Sequence, residues 1–193
     1  MALGYENVSF LYRLIDELGN NRLFSFIYKK HINQLGIEGN EIILDFGSGS
    51  GAGSRQLAKK LYKSNGHLTC VDISEYWMKI AKTRMIHLDN VDFFVGQLPE
   101  LKLDEKSFDI IYIFYALHEV PKKLRSGIVS EFFRVLKNEG RLLIKEPQRE
   151  NDGMPVNEIE ELMMCNGFYR ESCNVSRGTY SAVYKKQSIK SNK

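Results

Sequence analysis

Cysteine is scarce: the chain has 193 residues and only Cys70, Cys165 and Cys173. The number is odd and no C-x-x-C pair occurs, which speaks against a disulfide framework or a zinc ribbon and for a reducing, cytoplasmic setting. Cys70 falls in an apolar run and reads as a small buried side chain. Nothing in the spacing suggests a metal site. Long apolar runs are missing too. None approaches the ~20 residues that cross a bilayer, so no membrane span is expected. The opening residues, MALGYENVSF, lack a charged start followed by an apolar block, and no signal peptide is expected from them. A strong excess of one charge is also lacking: the net charge is +3. Without an aromatic-interleaved basic stripe, that is too mild a balance to argue for nucleic acid. There is no internal repeat and no low-complexity block.

What is present is an ordinary globular composition, 43% hydrophobic and 26% charged, at a length that suits one domain with a small appendage. Residues 5–36 carry apolar positions at helical spacing (Val8, Leu11, Tyr12, Ile15 and Leu18, then Leu23, Phe24, Ile27 and Ile32), broken by Gly19-Asn20-Asn21. They are expected to form two helices that act as a cap or lid. Residues 37–186 are expected to form the main domain, and 187–193 a flexible basic tail.

Within the main domain short apolar runs alternate with amphipathic ones. EIILDF, HLTCVDI, VDFFV, FDIIYIFYA and RLLIKEP read as strands, and SRQLAKKLY, SEYWMKIAKTRMIHL, PKKLRSGIVSEFFRVLKNEG and NEIEELMMCNGF as helices. Ser74 suits an N-cap, Trp77, Ile80, Ala81 and Met85 the buried side of its helix, and Pro121 a first turn. Gly140 is expected to close the helix before RLLIKEP. Two last strands, joined at Ser176-Arg177-Gly178, have too short a link for a crossover and should pair antiparallel. The expected fold is α/β: a Rossmann-like, open twisted sheet, mostly parallel, with helices on both faces and an antiparallel hairpin at its C-terminal edge. Ligands in such sheets bind beyond the carboxyl ends of the strands, where strand order reverses.

The stretch EIILDFGSGSGAGS places Gly47, Gly49, Gly51 and Gly53 there, directly after the first strand. So much bare backbone allows positive φ angles and close approach to a ligand, and the next helix begins with free N–H groups. Two ligands compete. Gly47-x-Gly49-x-x-Ala52 satisfies a dinucleotide fingerprint. The alternative uses Asp45, whose carboxylate would repel a pyrophosphate but suits a ligand with an ammonium group.

Asp45-x-Gly47-x-Gly49-x-Gly51 resembles the first motif of the class I S-adenosylmethionine-dependent methyltransferases. VDISEYWMKIAK is similar to the family's second motif, SFDIIYIFYALHEV to its fourth-strand motif, and FFRVLKNEGRLLIKEP to the helix, turn and strand that follow. The resemblance covers roughly residues 35–185 and is greatest to the small-molecule branch, which includes quinone-type and arsenite methyltransferases. It implies S-adenosylmethionine as cofactor, held by Asp45, Gly47, Ser48, Gly49 and Gly51. Asp72 would accept both ribose hydroxyls, and Ile73 would flank the adenine. Gln97 stands where the family often has an aspartate for the adenine amino group, and Leu98 could offer its backbone N–H. Phe114 would border the methionine end. The turn LKNEG keeps only one glycine of the family's Pro-Gly-Gly.

Methyl transfer is an in-line displacement in which a protein supplies alignment and dryness. A catalytic triad is therefore not needed, and a base only when the acceptor must lose a proton. His118 is the candidate base for that case, set against a histidine that holds its loop by hydrogen bonds. Tyr115 and Glu119 are candidates for touching the acceptor. The proline-aromatic tetrapeptide of amino-group methylators is missing after the fourth strand. The expected partner is a small-molecule methyl acceptor, with the chain a monomer or a homodimer. An NAD-dependent oxidoreductase and a non-catalytic module of the same fold are the alternatives.

Overall fold

A computed structural model describes residues 22–148, 153–176 and 178–187. In chain order these form α1 (Arg22–Asn33), β1 (Ile42–Phe46), α2 (Ser54–Tyr62), β2 (His67–Asp72), α3 (Glu75–Met85), β3 (Val91–Val95), β4 (Phe108–Phe114), α4 (Lys122–Val135), β5 (Leu136–Pro147), α5 (Val156–Cys165), β6 (Phe168–Ser176) and β7 (Thr179–Lys186). Single 3-10 turns occupy Leu98–Glu100 and Leu117–Glu119. The first expected helix, with Val8, Leu11, Tyr12, Ile15 and Leu18, lies outside the described residues, as does the tail from 188 onward.

The strands form one seven-stranded sheet in the order β3-β2-β1-β4-β5-β7-β6. β1 and β5 run parallel to β4, and β3 parallel to β2, whereas β7 runs antiparallel to both β5 and β6. This is the expected mostly parallel sheet with its closing hairpin. Contacts divide the chain into two compact units. One takes the described residues up to Glu41 with Ser48–Gln97; the other takes Ile42–Gly47 with the described residues from Leu98 on.

In the first unit, α2 buries Leu57, Ala58 and Leu61, and β2 buries Leu68, Cys70 and Val71. Each such aliphatic side chain contributes about 1.5–3 kcal/mol when removed from water. The Ser74 hydroxyl accepts from Trp77 N at 3.3 Å and so caps α3, as its position before the helix suggests. The buried face of α3 is Met78, Ala81 and Met85. That face is turned from the expected one: Met78 takes the inner position assigned to Trp77 and Ile80, which are only half-buried.

In the second unit Phe132 of α4 is fully buried and meets Phe46 edge-on at 5.0 Å. α4 ends at Val135 and the chain passes straight into β5, so Gly140 does not close the helix. Leu136 already pairs with Phe108, ahead of a register shift whose extra residues lie on β5. Gly140 lies inside β5, where a Cβ would stand 2.6 Å from Leu136 Cδ1 and 3.0 Å from Asp109 O. Strand pairing, a long-range effect, has overridden the helical pattern of the segment. No helix among the described residues is long and apolar enough to cross a membrane.

Candidate functional site

The residues singled out after β1, β2 and β3 belong mostly to the first unit. Ser48 N donates to Val71 O at 3.1 Å, which ties the glycine loop to the end of β2. The Asp72 carboxylate then receives two backbone donors, Gly49 N on Oδ2 and Ser74 N on Oδ1, each at 2.8 Å. Its own carbonyl accepts from Gly96 N at 3.0 Å, so the turn leading to Gln97 is fastened to the same residue. Burial pushes the Asp72 carboxyl above the usual carboxylate range, against the pull of the Ser74, Gly49 and Ile73 N–H groups. A carboxylate offers about four acceptor positions. Capacity therefore remains on both oxygens, and hydroxyl donors from a ligand would relieve the desolvation of the charge.

Two further observations concern the loop itself. Gly49 has φ +53°, and a Cβ built on it meets nothing within 4 Å, so open space lies over its backbone. The Ser48 hydroxyl is shielded from solvent and has no partner among the described residues. Such an atom costs about 1–3 kcal/mol until something bonds to it. Ile73, 46% exposed, and Gln97, also exposed, stand clear of the core. Gly51 serves packing instead: a Cβ there would lie 2.8 Å from Met85 Cε and 3.0 Å from Ala81 Cβ of α3. Gly53 departs from the expectation for the burst. Its φ is −75°, ordinary helical backbone at the start of α2.

The second unit holds Asp45, Gly47, Leu98, Phe114, Tyr115, His118 and Glu119. Asp45 is buried within β1, and Leu98 is fully buried, so the Leu98 side chain is part of the core. Gly47 has φ +69°, and a Cβ on it would fall 2.3 Å from Ala116 Cβ. The loop after β4 thus rests on bare glycine backbone. Gly47→Ala is expected to lower stability by more than the ~1–2 kcal/mol of left-handed strain alone, because the methyl groups overlap. Gly49→Ala carries the strain without the clash. Urea unfolding should therefore rank Gly47→Ala as the more destabilised, and equal midpoints would contradict the account.

Tyr115 opens that loop with φ +54°, unusual for a residue other than glycine. Its N–H donates to Lys145 O at 2.8 Å. The next two residues are held by Glu146, which is 0% exposed at the end of β5. Ala116 N and Leu117 N both donate to Glu146 Oε1, at 3.1 and 2.8 Å, and His118 Nδ1 meets Oε2 at 2.7 Å. Arg125 of α4 completes the clamp. It donates to Val120 O and to His118 O, each at 2.8 Å, and pairs with Glu158 at 2.6 Å.

Burial draws the His118 pKa down, but Glu119 and Glu146 together raise it to about 9. The ring therefore carries a proton at neutral pH. Its hydrogen bond holds the Glu119 carboxyl below the usual range. An imidazolium that donates to Glu146 and lies 3.4 Å from Glu119 fastens a loop and has no free site to accept a proton. Phe114 and Tyr115 meet edge-on at 4.5 Å. Glu146 and Lys145 were not singled out by the sequence reading. The available signal was a charged pair, Lys-Glu, ending an otherwise apolar strand. Among the described residues no histidine, cysteine and carboxylate cluster suits a metal.

The profile of a family described as "Methyltransferase domain" matches residues 43–140. The ubiquinone/menaquinone biosynthesis C-methyltransferase of Rickettsia felis is 34% identical over 150 residues, which are 74% of this chain and 58% of that protein. Its counterpart from Hydrogenovibrio crunogenus is 28% identical over 124 residues, 62% of this chain and 48% of that protein. This chain thus spans about half the length of the curated relatives it matches. Among solved structures, a SAM-dependent methyltransferase from Aquifex aeolicus superposes with a TM-score of 0.68 at 21% identity, covering 81% of this chain and 88% of that one. A TehB-like SAM-dependent methyltransferase from Corynebacterium glutamicum gives 0.69 at 19% identity, covering 91% and 94%.

Proposed function

The chain belongs to the methyltransferase-domain family, and from that premise we propose that it transfers a methyl group from S-adenosylmethionine to a small-molecule acceptor. The observation that carries this reading is the Asp72 carboxylate. It is desolvated, bound on each oxygen by one backbone N–H, and retains acceptor capacity beside the open backbone of Gly49. That acceptor set fits a ribose with two free hydroxyls to donate. Ile73 and Gln97 would meet the adenine, and Ser48 and Gly49 the amino-acid end.

When bound, the cofactor supplies a methyl group on a sulfonium, a leaving group that needs no activation. The task of the chain is then to bind, align and exclude water. Phe114 and Tyr115 would wall the acceptor side with apolar surface. His118, protonated and held by Glu146, has a positioning role and is not the general base. The names of the curated relatives, C-methyltransferases of ubiquinone and menaquinone biosynthesis, favour a ring of the quinone or reduced-quinone type, methylated on carbon.

S-adenosylhomocysteine at about a hundred times its Kd should stabilise the protein by ~2.7 kcal/mol and raise Tm by about 5–10 °C. NAD should leave Tm unchanged. A shift with NAD and none with S-adenosylhomocysteine would replace the reading with a dinucleotide-dependent oxidoreductase.

A further inference from the structure

Lys145 is a half-buried lysine with an unusual set of neighbours. It sits next to the last residues of β5, in register with Phe114 of β4. Its Nζ lies 5.5 Å from the centroid of the Phe114 ring and 5.8 Å from that of Tyr115. Cations at that range are attracted by the ring faces, an interaction of about 0.5–2 kcal/mol. Yet Lys145 forms no ion pair with any carboxylate among the described residues. Other cations of this unit are ion-paired, Arg125 with Glu158, Lys137 with Asp109 and Lys185 with Glu171, whereas Lys186 rests over the Phe133 ring at 4.6 Å. A second donor close by in the chain is also unmet. The side-chain nitrogen of Gln148 is shielded from water and has no acceptor among the described residues. Among the described residues, neither of these two donors has an acceptor at the end of β5.

The backbone around Lys145 is fixed. Its carbonyl accepts from Tyr115, the residue with φ +54°, and its neighbour Glu146 is the buried anchor of the loop. Strained backbone such as that of Tyr115 is concentrated at functional sites. Phe114 and Tyr115 are the residues that the proposed function puts against the acceptor.

Resting on that function, we propose that the acceptor is a flat, apolar molecule bearing an anionic oxygen, an enolate or phenolate, and that Lys145 Nζ binds this oxygen while Phe114 and Tyr115 cover the ring. A cation held between two aromatic walls selects this class over its neutral analogues, because a neutral molecule leaves the charge half-buried and unpaired. It also keeps the oxygen ionised, which enriches the ring in electrons where a carbon must act as nucleophile. Lys145 is a specificity-determining residue on this reading.

The test uses binding to the full chain saturated with S-adenosylhomocysteine, read by calorimetry. The probes are a hydroxynaphthoquinone that is an enolate at neutral pH and its neutral methyl ether. The wild-type chain should prefer the enolate by about tenfold or more, the scale of one charge-assisted contact. Lys145→Met keeps the stem and should bind both probes alike, while Lys145→Arg should restore the preference. Equal binding of the two probes by the wild-type chain, binding of neither, or a preference that survives in Lys145→Met would each overturn the proposal. Cofactor binding, measured first, separates the two readings: if S-adenosylhomocysteine itself does not bind, the failure lies with the proposed function.

Discussion

Asp72→Ala should reduce the affinity for S-adenosylhomocysteine by at least about a hundredfold, while the chain stays folded. Hydrogen bonds to a charged group contribute about 1.5–3 kcal/mol each, and two ribose hydroxyls would lose theirs together. The substitution also frees Gly49 N and Ser74 N, which Asp72 receives at 2.8 Å. The loop would lose its tie as well as its charge. The effect on stability is smaller, because deleting the side chain also removes a carboxylate whose charged form is disfavoured by burial. Asp72→Asn is the sharper variant: one amide oxygen accepts from one backbone donor and the NH2 group opposes the other.

The sign of the pH effect follows from the direction of the Asp72 shift. A carboxyl whose pKa is raised in the folded chain stabilises the fold fully below its unfolded value. That contribution is lost as pH rises through the folded value. A ligand that donates to the carboxylate binds the ionised form, so its affinity should strengthen as pH rises through the folded value and then level off. Calorimetry in buffers of different ionisation enthalpy would detect the released proton. Affinity in Asp72→Ala within a factor of three of wild type would remove Asp72 from the binding site and the main support of the proposed function with it.

The first unit was legible because its signals are local. The glycine burst, the acid ending β2 and the Ser74 cap each lie within a few residues of the structure they specify. Even there, sequence could not separate the glycines by task. Gly47 is needed because Ala116, far along the chain, stands 2.3 Å from where a Cβ would be, whereas Gly49 faces open space. The end of α4 was misplaced for a related reason. LKNEG has a helical pattern and a closing glycine, but Leu136 finds a partner in Phe108, and the partner decides. Glu146 was invisible for the same cause. Its donors lie 28 to 30 positions away, and nothing near it in sequence shows that it is buried.

Glu146→Ala should be the most destabilising single change considered, by about 3–5 kcal/mol, the range for breaking a buried, hydrogen-bonded charge pair from one side. It leaves Ala116 N, Leu117 N and the His118 ring facing an empty space, and Tyr115 loses the neighbours that hold its φ of +54°. Glu146→Gln separates the two functions of the carboxylate. Its amide oxygen still accepts from both backbone donors, so the loop keeps its path, but the charge opposite His118 is gone. The His118 pKa is about 9 in the folded chain against an ordinary 6.5. The folded state therefore binds the extra proton between these values, and the stability it confers is full below about 6.5 and fades as pH rises through about 9. In that window wild-type stability should fall with pH by up to ~1.4 kcal/mol per unit. Glu146→Gln should flatten the slope in part, since Glu119 still lies 3.4 Å from the ring; denaturant titrations at several pH values would measure both. A wild-type stability that stays level across this window would mean that the His118 ring is neutral, and would return it to the position of a candidate base.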